Sequence, residues 1–365
     1  MPRSAFTTHA YADSKLFEQS LDVYYPAELV SPAVPPPLVV LVVGSGWLGH
    51  RSIIYNCFNR ENAAGPRAIA ALGCVCVAVR HRGAFIQPPN TTLTALIAPV
   101  TLMLWGFAGF LLLALLCIAW TLVARGAATH EDMVDDVARA LVWVRSRRSR
   151  LTHCDDATDQ PACHQQGAAE IVGGYSSGGH VLISLLARRD KLKQWGLPIE
   201  GAGFDGVLLI SGVCATLPGP PLANYIPAWL AARAVTAGVF GLFADPLRGE
   251  PARVLPSPVH SVESCTRIPH LLVHCVHEAF GVPIWELALT ACMLSTKELA
   301  AALRRVGIAV RVESIASNHW KILGSPALRE ALRVALLEDG WPRSLPSHRR
   351  PRARRAARHV ARARR

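Results

Sequence analysis

The stretch AEIVGGYSSGGHVLISLLA, residues 169–187, restricts the possible folds more than any other part of the chain. Apolar residues lead into a glycine-rich polar turn, and an apolar run free of glycine and proline leaves it. That order reads as strand, sharp turn, helix. The turn holds Gly174-Tyr175-Ser176-Ser177-Gly178, which fits G-x-S-x-G. A strand that turns abruptly into a helix lifts its central serine clear of the sheet and points the helix N-terminus at it. Small residues flank that serine because the turn is crowded. The bare pattern is common by chance, but between a strand and a helix it is specific. Ser176 is therefore the candidate nucleophile.

Short apolar strands are also expected at 21–26, 38–43, 74–80, 206–212, 270–276 and 308–314. Helices are expected at 130–145 and 295–305. A last helix opens with Ser325 as cap and Pro326 at its first position, and ends near Gly340. In the helix at 130–145, Met133, Val137, Leu141 and Val144 keep helical spacing. Acids crowd its first turns and arginine its end, as the macrodipole prefers. Strands alternating with helices argue for a mainly parallel sheet covered on both faces. With 51% hydrophobic residues the chain can fill such a core. The formal net charge of +12 belongs mostly to the end of the chain. Residues 343–365 hold ten arginines and no acid, leaving about +2 for the rest. No specific nucleic-acid partner follows from a nearly neutral fold. The tail is expected to be disordered, with anionic lipid as one possible contact.

A second glycine-rich segment, LVVLVVGSGWLGH at 38–50, places Gly44, Gly46 and Gly49 at the spacing G-x-G-x-x-G. This is the fingerprint of a dinucleotide-binding turn, with Arg80 as the residue for a phosphorylated ribose. Trp47 puts an indole where a backbone must approach a pyrophosphate. Arg80 also falls 36 residues after Gly44, beyond the step of about 20 that the fingerprint expects. An oxidoreductase is therefore the last-ranked reading, and no cofactor is expected.

These segments together resemble the α/β-hydrolase superfamily, most closely the esterase/lipase branch with carboxylesterases, isoprenylcysteine methylesterase and kynurenine formamidase. LDVYYP at 21–26 is similar to that branch's opening strand, and VGSGW at 43–47 sits where the family carries H-G-G-G-W. DMVDDVARALVWV at 132–144 resembles the helix before the elbow, and PSPVHSV at 256–262 a segment leading into the acid-bearing strand. The resemblance implies an α/β-hydrolase fold over residues 1–342 and a chain order of serine, acid, histidine. It assigns Ser176 as nucleophile, Glu278 as acid (with Glu286 as fallback) and His319 as base. The oxyanion hole falls to Ser177 and to Ser45 or Gly46. Val43 stands for the family's histidine, Ser45 for its middle glycine, and Cys275 for the glycine of H-G-x-x-D. The implied activity is hydrolysis of a carboxylic ester with an apolar or lipid-like part, through an acyl-enzyme. An amide or formamide hydrolase with the same triad stays open. So does an inactive hydrolase-fold protein that binds a lipid or a partner.

Leu93 to Val123 runs 31 residues without a charge, enough for one membrane span of about 20. Both ends of the insertion, residues 86–128, must rejoin one sheet, so a single crossing is excluded and two crossings need more length. The expectation is contact with a membrane surface through residues 91–124, as a hairpin in one leaflet, or else a lid over the site. The protein is accordingly expected to be membrane-associated and intracellular, without a cleaved signal peptide. His153, Cys154, Cys163 and His164 cluster, but Cys-x8-Cys is not a standard zinc spacing, and no metal is expected. Cys74, Cys76 and Cys275 lie in apolar strands and read as small buried hydrophobes.

Overall fold

The computed structural model describes residues 6–14, 16–27, 35–47, 50, 63–83, 128–152, 169–214, 258–259, 262, 267–276 and 295–342. Among them, eight strands form one sheet: β1 (Phe6–Ala10), β2 (Ser20–Tyr24), β3 (Leu38–Val42), β4 (Val75–Val79), β5 (Glu170–Tyr175), β6 (Gly206–Ile210), β7 (His270–Cys275) and β8 (Val310–Ile315). Their spatial order is β1-β2-β4-β3-β5-β6-β7-β8. The pairs β1/β2 and β2/β4 are antiparallel, and every later pair is parallel. The helices used below are α1 (Ala64–Ala70), α2 (His130–Ser146), α3 (Ser177–Leu186), α4 (295–305) and α5 (Pro326–Arg333).

Strand β3 shows why the sheet is read so easily from its sequence. Leu38, Val40 and Val42 face one core, together with Met133, Val137 and Leu141 of α2 and Val181 and Leu185 of α3. Val39 and Leu41 face the other, with Ile69 of α1 and Leu328 and Leu332 of α5. A strand with helices on both faces must be apolar at every position, at about 1.5–3 kcal/mol for each Val or Leu taken fully out of water. Strand β1 was not anticipated. Its sequence FTTHA is mostly exposed and polar, because an edge strand on the antiparallel side needs no apolar face. It is held by its ladder to β2 and by Thr8 Oγ1, which donates to Asp22 Oδ1 at 2.7 Å.

Helix α2 begins in a capping box. Thr129 Oγ1 accepts from the Asp132 N–H at 3.2 Å, and Asp132 Oδ2 accepts from the Thr129 N–H at 2.8 Å. One turn later Asp136 is fully buried. Its Oδ2 accepts from the Arg82 backbone N–H at 3.0 Å and from Arg82 Nε at 2.8 Å. Its Oδ1 accepts from Arg82 Nη2 at 3.0 Å and from Gln19 Nε2 at 2.6 Å. A buried carboxylate persists only with such a complement of donors. The group ties the end of β4 and the turn before β2 to α2. Close by, the Ala128 N–H donates to the Gly83 carbonyl at 3.1 Å, so the chain leaves β4 and re-enters α2 at one point. The Ser325 cap lies where expected, accepting from the Leu328 N–H at 3.0 Å, with Pro326 in the first turn.

The chain runs from β3 outward to β4 and then returns to the other side of β3 as β5. Connections after β3 and β5 therefore diverge, and a crevice opens at the carboxyl ends of these two strands. Ser45 and Ser176 lie at those ends.

Candidate active site

Ser176 adopts φ 53° and ψ −126°, a conformation that costs a side-chain-bearing residue roughly 1–3 kcal/mol. Its surroundings enforce it. The Ser176 N–H donates to the Ile210 carbonyl of β6 at 3.0 Å, and the Ser176 carbonyl accepts from the Gly179 N–H at 3.1 Å. Two glycines make the crowding possible. A Cβ on Gly178 would lie 2.4 Å from the Val42 carbonyl oxygen, and one on Gly44 would lie 2.7 Å from the Ser176 Cβ. Gly44 is thus committed to close approach by the elbow rather than by a pyrophosphate. Arg80, which the dinucleotide reading needs, is held instead by Asp22 and by Ser20 Oγ at 2.9 Å.

His319 follows β8 and is buried. Its Nε2 lies 2.9 Å from Ser176 Oγ, across 143 residues of sequence. Two aromatic rings frame the imidazole. Trp320 meets it edge-on at 5.4 Å between centroids, and Tyr175 lies tilted against it at 5.3 Å. The Tyr175 hydroxyl also donates to the His319 carbonyl at 2.5 Å. The residue before Ser176 therefore fastens the loop that carries the imidazole. Sequence reasoning missed this role, since the position between glycine and serine in the motif carries no residue preference. Glu278 and its fallback Glu286 lie outside the described residues.

The segment after β3 forms the second wall. The Ser45 N–H donates to Ser177 Oγ at 2.9 Å, so of the two alternatives for this loop's donor, Ser45 and Gly46, the first is already engaged. Gly46 and Trp47 follow with φ of 60° and 61°. Ser177 opens α3, where the first N–H groups of a helix have no intrahelical acceptor.

No family model matches the chain, and no curated protein matches it. Solved structures do. The chain is similar to an inhibited form of esterase B from Lactobacillus rhamnosis, with a TM-score of 0.54 and 14% identity over 93% of this chain and 90% of that one. It is similar to a truncated carbohydrate esterase from gut microbiota, with a TM-score of 0.53 and 14% identity over 90% and 94% of the two chains. A thermostable esterase from Pseudomonas putida ECU1011 gives 0.51 and 13% over 90% and 80%. The chain has the α/β-hydrolase fold.

Within this α/β-hydrolase fold, the three departures from the family pattern have distinct surroundings. Val43 is buried in the α1 and α5 core, and its N–H donates to the Val79 carbonyl at 3.0 Å. Ser45 reaches Ser177 through its backbone, which leaves its own side chain uninvolved in that bond. Cys275 is fully buried, with Sγ 3.6 Å from Ser211 Oγ. Cys74, Cys76 and Cys214 are likewise buried, and burial pushes the Cys74 thiol up to about 12. Among the described residues no group of three or more His, Cys, Asp or Glu could hold a metal ion, and no helix is long and apolar enough to cross a membrane. The cluster His153, Cys154, Cys163 and His164, residues 86–127 of the apolar insertion, and the tail 343–365 lie outside the described residues.

Proposed function

We propose that the protein is a serine esterase acting on carboxylic esters with an apolar part. The observation that carries this reading is the 2.9 Å approach of His319 Nε2 to Ser176 Oγ on a strained elbow. A serine hydroxyl attacks poorly until a base within hydrogen-bond reach removes its proton. As Ser176 Oγ attacks the carbonyl carbon, His319 takes the proton and the carbonyl oxygen becomes an oxyanion. The N–H groups of Ser177 and Gly46 receive it, each such donor being worth roughly 3–4 kcal/mol. Collapse breaks the ester bond, and His319 returns the proton to the departing alkoxide. Water then attacks the acyl-enzyme by the same route. Glu278 is assigned to hold the second imidazole nitrogen.

The apolar substrate class draws support from the uncharged run at 93–123 and from a structural neighbour, an esterase B crystallised with tributyrin phosphonate. That neighbour is 14% identical to this chain, with a TM-score of 0.53. The insertion at 91–124 is assigned to a membrane surface and the protein to a membrane-associated location. The hydrogen bond between Gly83 and Ala128 supports entry and exit on one side, in keeping with a leaflet hairpin rather than a single crossing. Labelling by a fluorophosphonate probe tests the chemistry: the wild type is expected to label and Ser176→Ala to be silent. No labelling of folded wild type would favour a binding protein. A panel of acyl esters of graded length, with an anilide and formyl-kynurenine included, separates esterase from amidase.

A further inference from the structure

The first turn of α3 carries more than the nucleophile. Ser177 and His180, three residues apart, share one face of the helix, and both reach the oxyanion loop. Ser177 Oγ accepts the Ser45 N–H at 2.9 Å. His180 Nδ1 accepts the Trp47 indole N–H at 3.4 Å, and the two rings meet edge to face at 5.5 Å. An indole nitrogen can only donate, so Nδ1 of His180 must be unprotonated to serve. The loop is strained at Trp47, whose φ of 61° is costly for a residue with a large side chain. It keeps that shape because something holds it.

We propose that neutral His180 is a positioning residue for the oxyanion loop, acting through Trp47, and that protonation of the histidines gathered around it releases the loop. This rests on the esterase reading above.

The surroundings make the tether sensitive to acid. His180 and His130 of α2 lie 5.0 Å apart between centroids, and His50 and His81 lie 5.1 Å apart. His50, His81 and His180 are buried. The Nε2 atoms of His81 and His130 have no hydrogen-bond partner among the described residues, so a proton there would bring both a charge and an unpaired donor. Burial holds His50 and His130 well below the usual histidine range, aided by His81 beside the first and by His180, Arg188 and His81 beside the second. The carboxylates on the packed elements meet cations, while Arg139 of α2 lies over the Trp195 ring and Arg145 donates to the Ala202 carbonyl at 3.1 Å. On α2, Glu131 meets Arg188 and Lys191, Asp132 and Asp136 meet Arg82, and Asp135 meets Lys191. At the end of β4, Arg80 meets Asp22, at the start of β5 Glu170 meets Arg148, and beyond α3 Asp190 meets Arg188. Strand β3 carries no charged residue. Each of these carboxylates meets a cation, several of them sharing one, and the ring that faces His180 from α2 is another histidine, His130.

The experiment uses full-length protein labelled with 15N. The chain has nine tryptophans, and the Trp47 indole signal is the one that vanishes in Trp47→Phe. That signal is expected to move as the pH is lowered, and to stay fixed in His180→Asn, whose amide oxygen accepts without titrating. Fluorophosphonate labelling of wild type is expected to lose rate on the acid side more steeply than one proton allows. In Trp47→Phe the rate near pH 8 is expected to be about tenfold lower, with a one-proton acid limb and an unchanged melting profile. An immobile Trp47 signal, or Trp47→Phe labelling within about twofold of wild type, overturns the proposal. A moving signal in a wild type that never labels would keep the acid-sensitive tether and discard the hydrolysis.

Discussion

Replacing Tyr175 by phenylalanine tests whether the nucleophile strand holds the base. The substitution keeps the ring tilted against His319 at 5.3 Å and deletes only the hydroxyl that donates to the His319 carbonyl at 2.5 Å. That carbonyl belongs to a residue 2% exposed, so water does not readily replace the lost donor. Losing one partner of a buried hydrogen bond costs about 1–3 kcal/mol. The nearest outlet for that energy is the short loop between β8 and α5, which can shift without unfolding the sheet. A bias of about 1–2 kcal/mol against the productive loop position lowers the fraction of molecules with Nε2 in reach of Ser176 by about 5- to 30-fold. The hydroxyl points at backbone, so KM is expected to hold while kcat falls by that factor and kcat/KM falls with it. Steady-state hydrolysis of a short-chain nitrophenyl ester, with phosphonate labelling as a check on Ser176 alone, measures the split. A kcat within about twofold of wild type in a protein of unchanged melting temperature would falsify the claim that Tyr175 fixes the base.

Two further outcomes concern stability. Asp136→Ala removes the acceptor of four hydrogen bonds and leaves Arg82 with Asp132 alone, at a cost of about 3–5 kcal/mol in chemical denaturation, whereas Asp136→Leu with Arg82→Met recovers much of it; equal losses in both variants would refute the pairing argument. His270 is fully buried, its Nδ1–H donating to the Ile268 carbonyl at 2.8 Å, and burial lowers its pKa to about 4. The unfolded chain takes up this proton near 6.5 and the folded one resists until about 4, so stability falls as the pH drops through that window, by about 3 kcal/mol from this group. His270→Gln should flatten part of the slope in urea melts between those two pH values.

What the sequence made legible was local. Strand β3 announces itself because burial on both faces demands five apolar residues in a row, and the Ser325 cap because the N–H it accepts from lies three residues away. The Ser176 elbow is readable for the same reason: its glycines, serine and following helix are contiguous. His319 could be chosen from fourteen histidines only through the chain order that the family resemblance implies. The contacts that organise the site join residues 132, 133 and 144 positions apart: Ser45 with Ser177, Trp47 with His180, and Tyr175 with His319. No periodicity or propensity encodes such pairs; they exist only once the sheet brings β3, β5 and β8 to one edge. β1 was silent for the opposite reason, since an exposed edge strand needs nothing distinctive to pair.

The hydrogen bond from Ala128 to Gly83 has an architectural consequence. The backbone closes behind residues 84–127 like a clasp, so this segment is grafted onto a scaffold whose strands and helices are already joined at its root. A short glycine bridge from Gly83 to Ala128 is therefore expected to leave the described strand pairings in place. The same catalytic edge could then be fitted with different surfaces, each choosing what the serine meets while leaving the serine where it is.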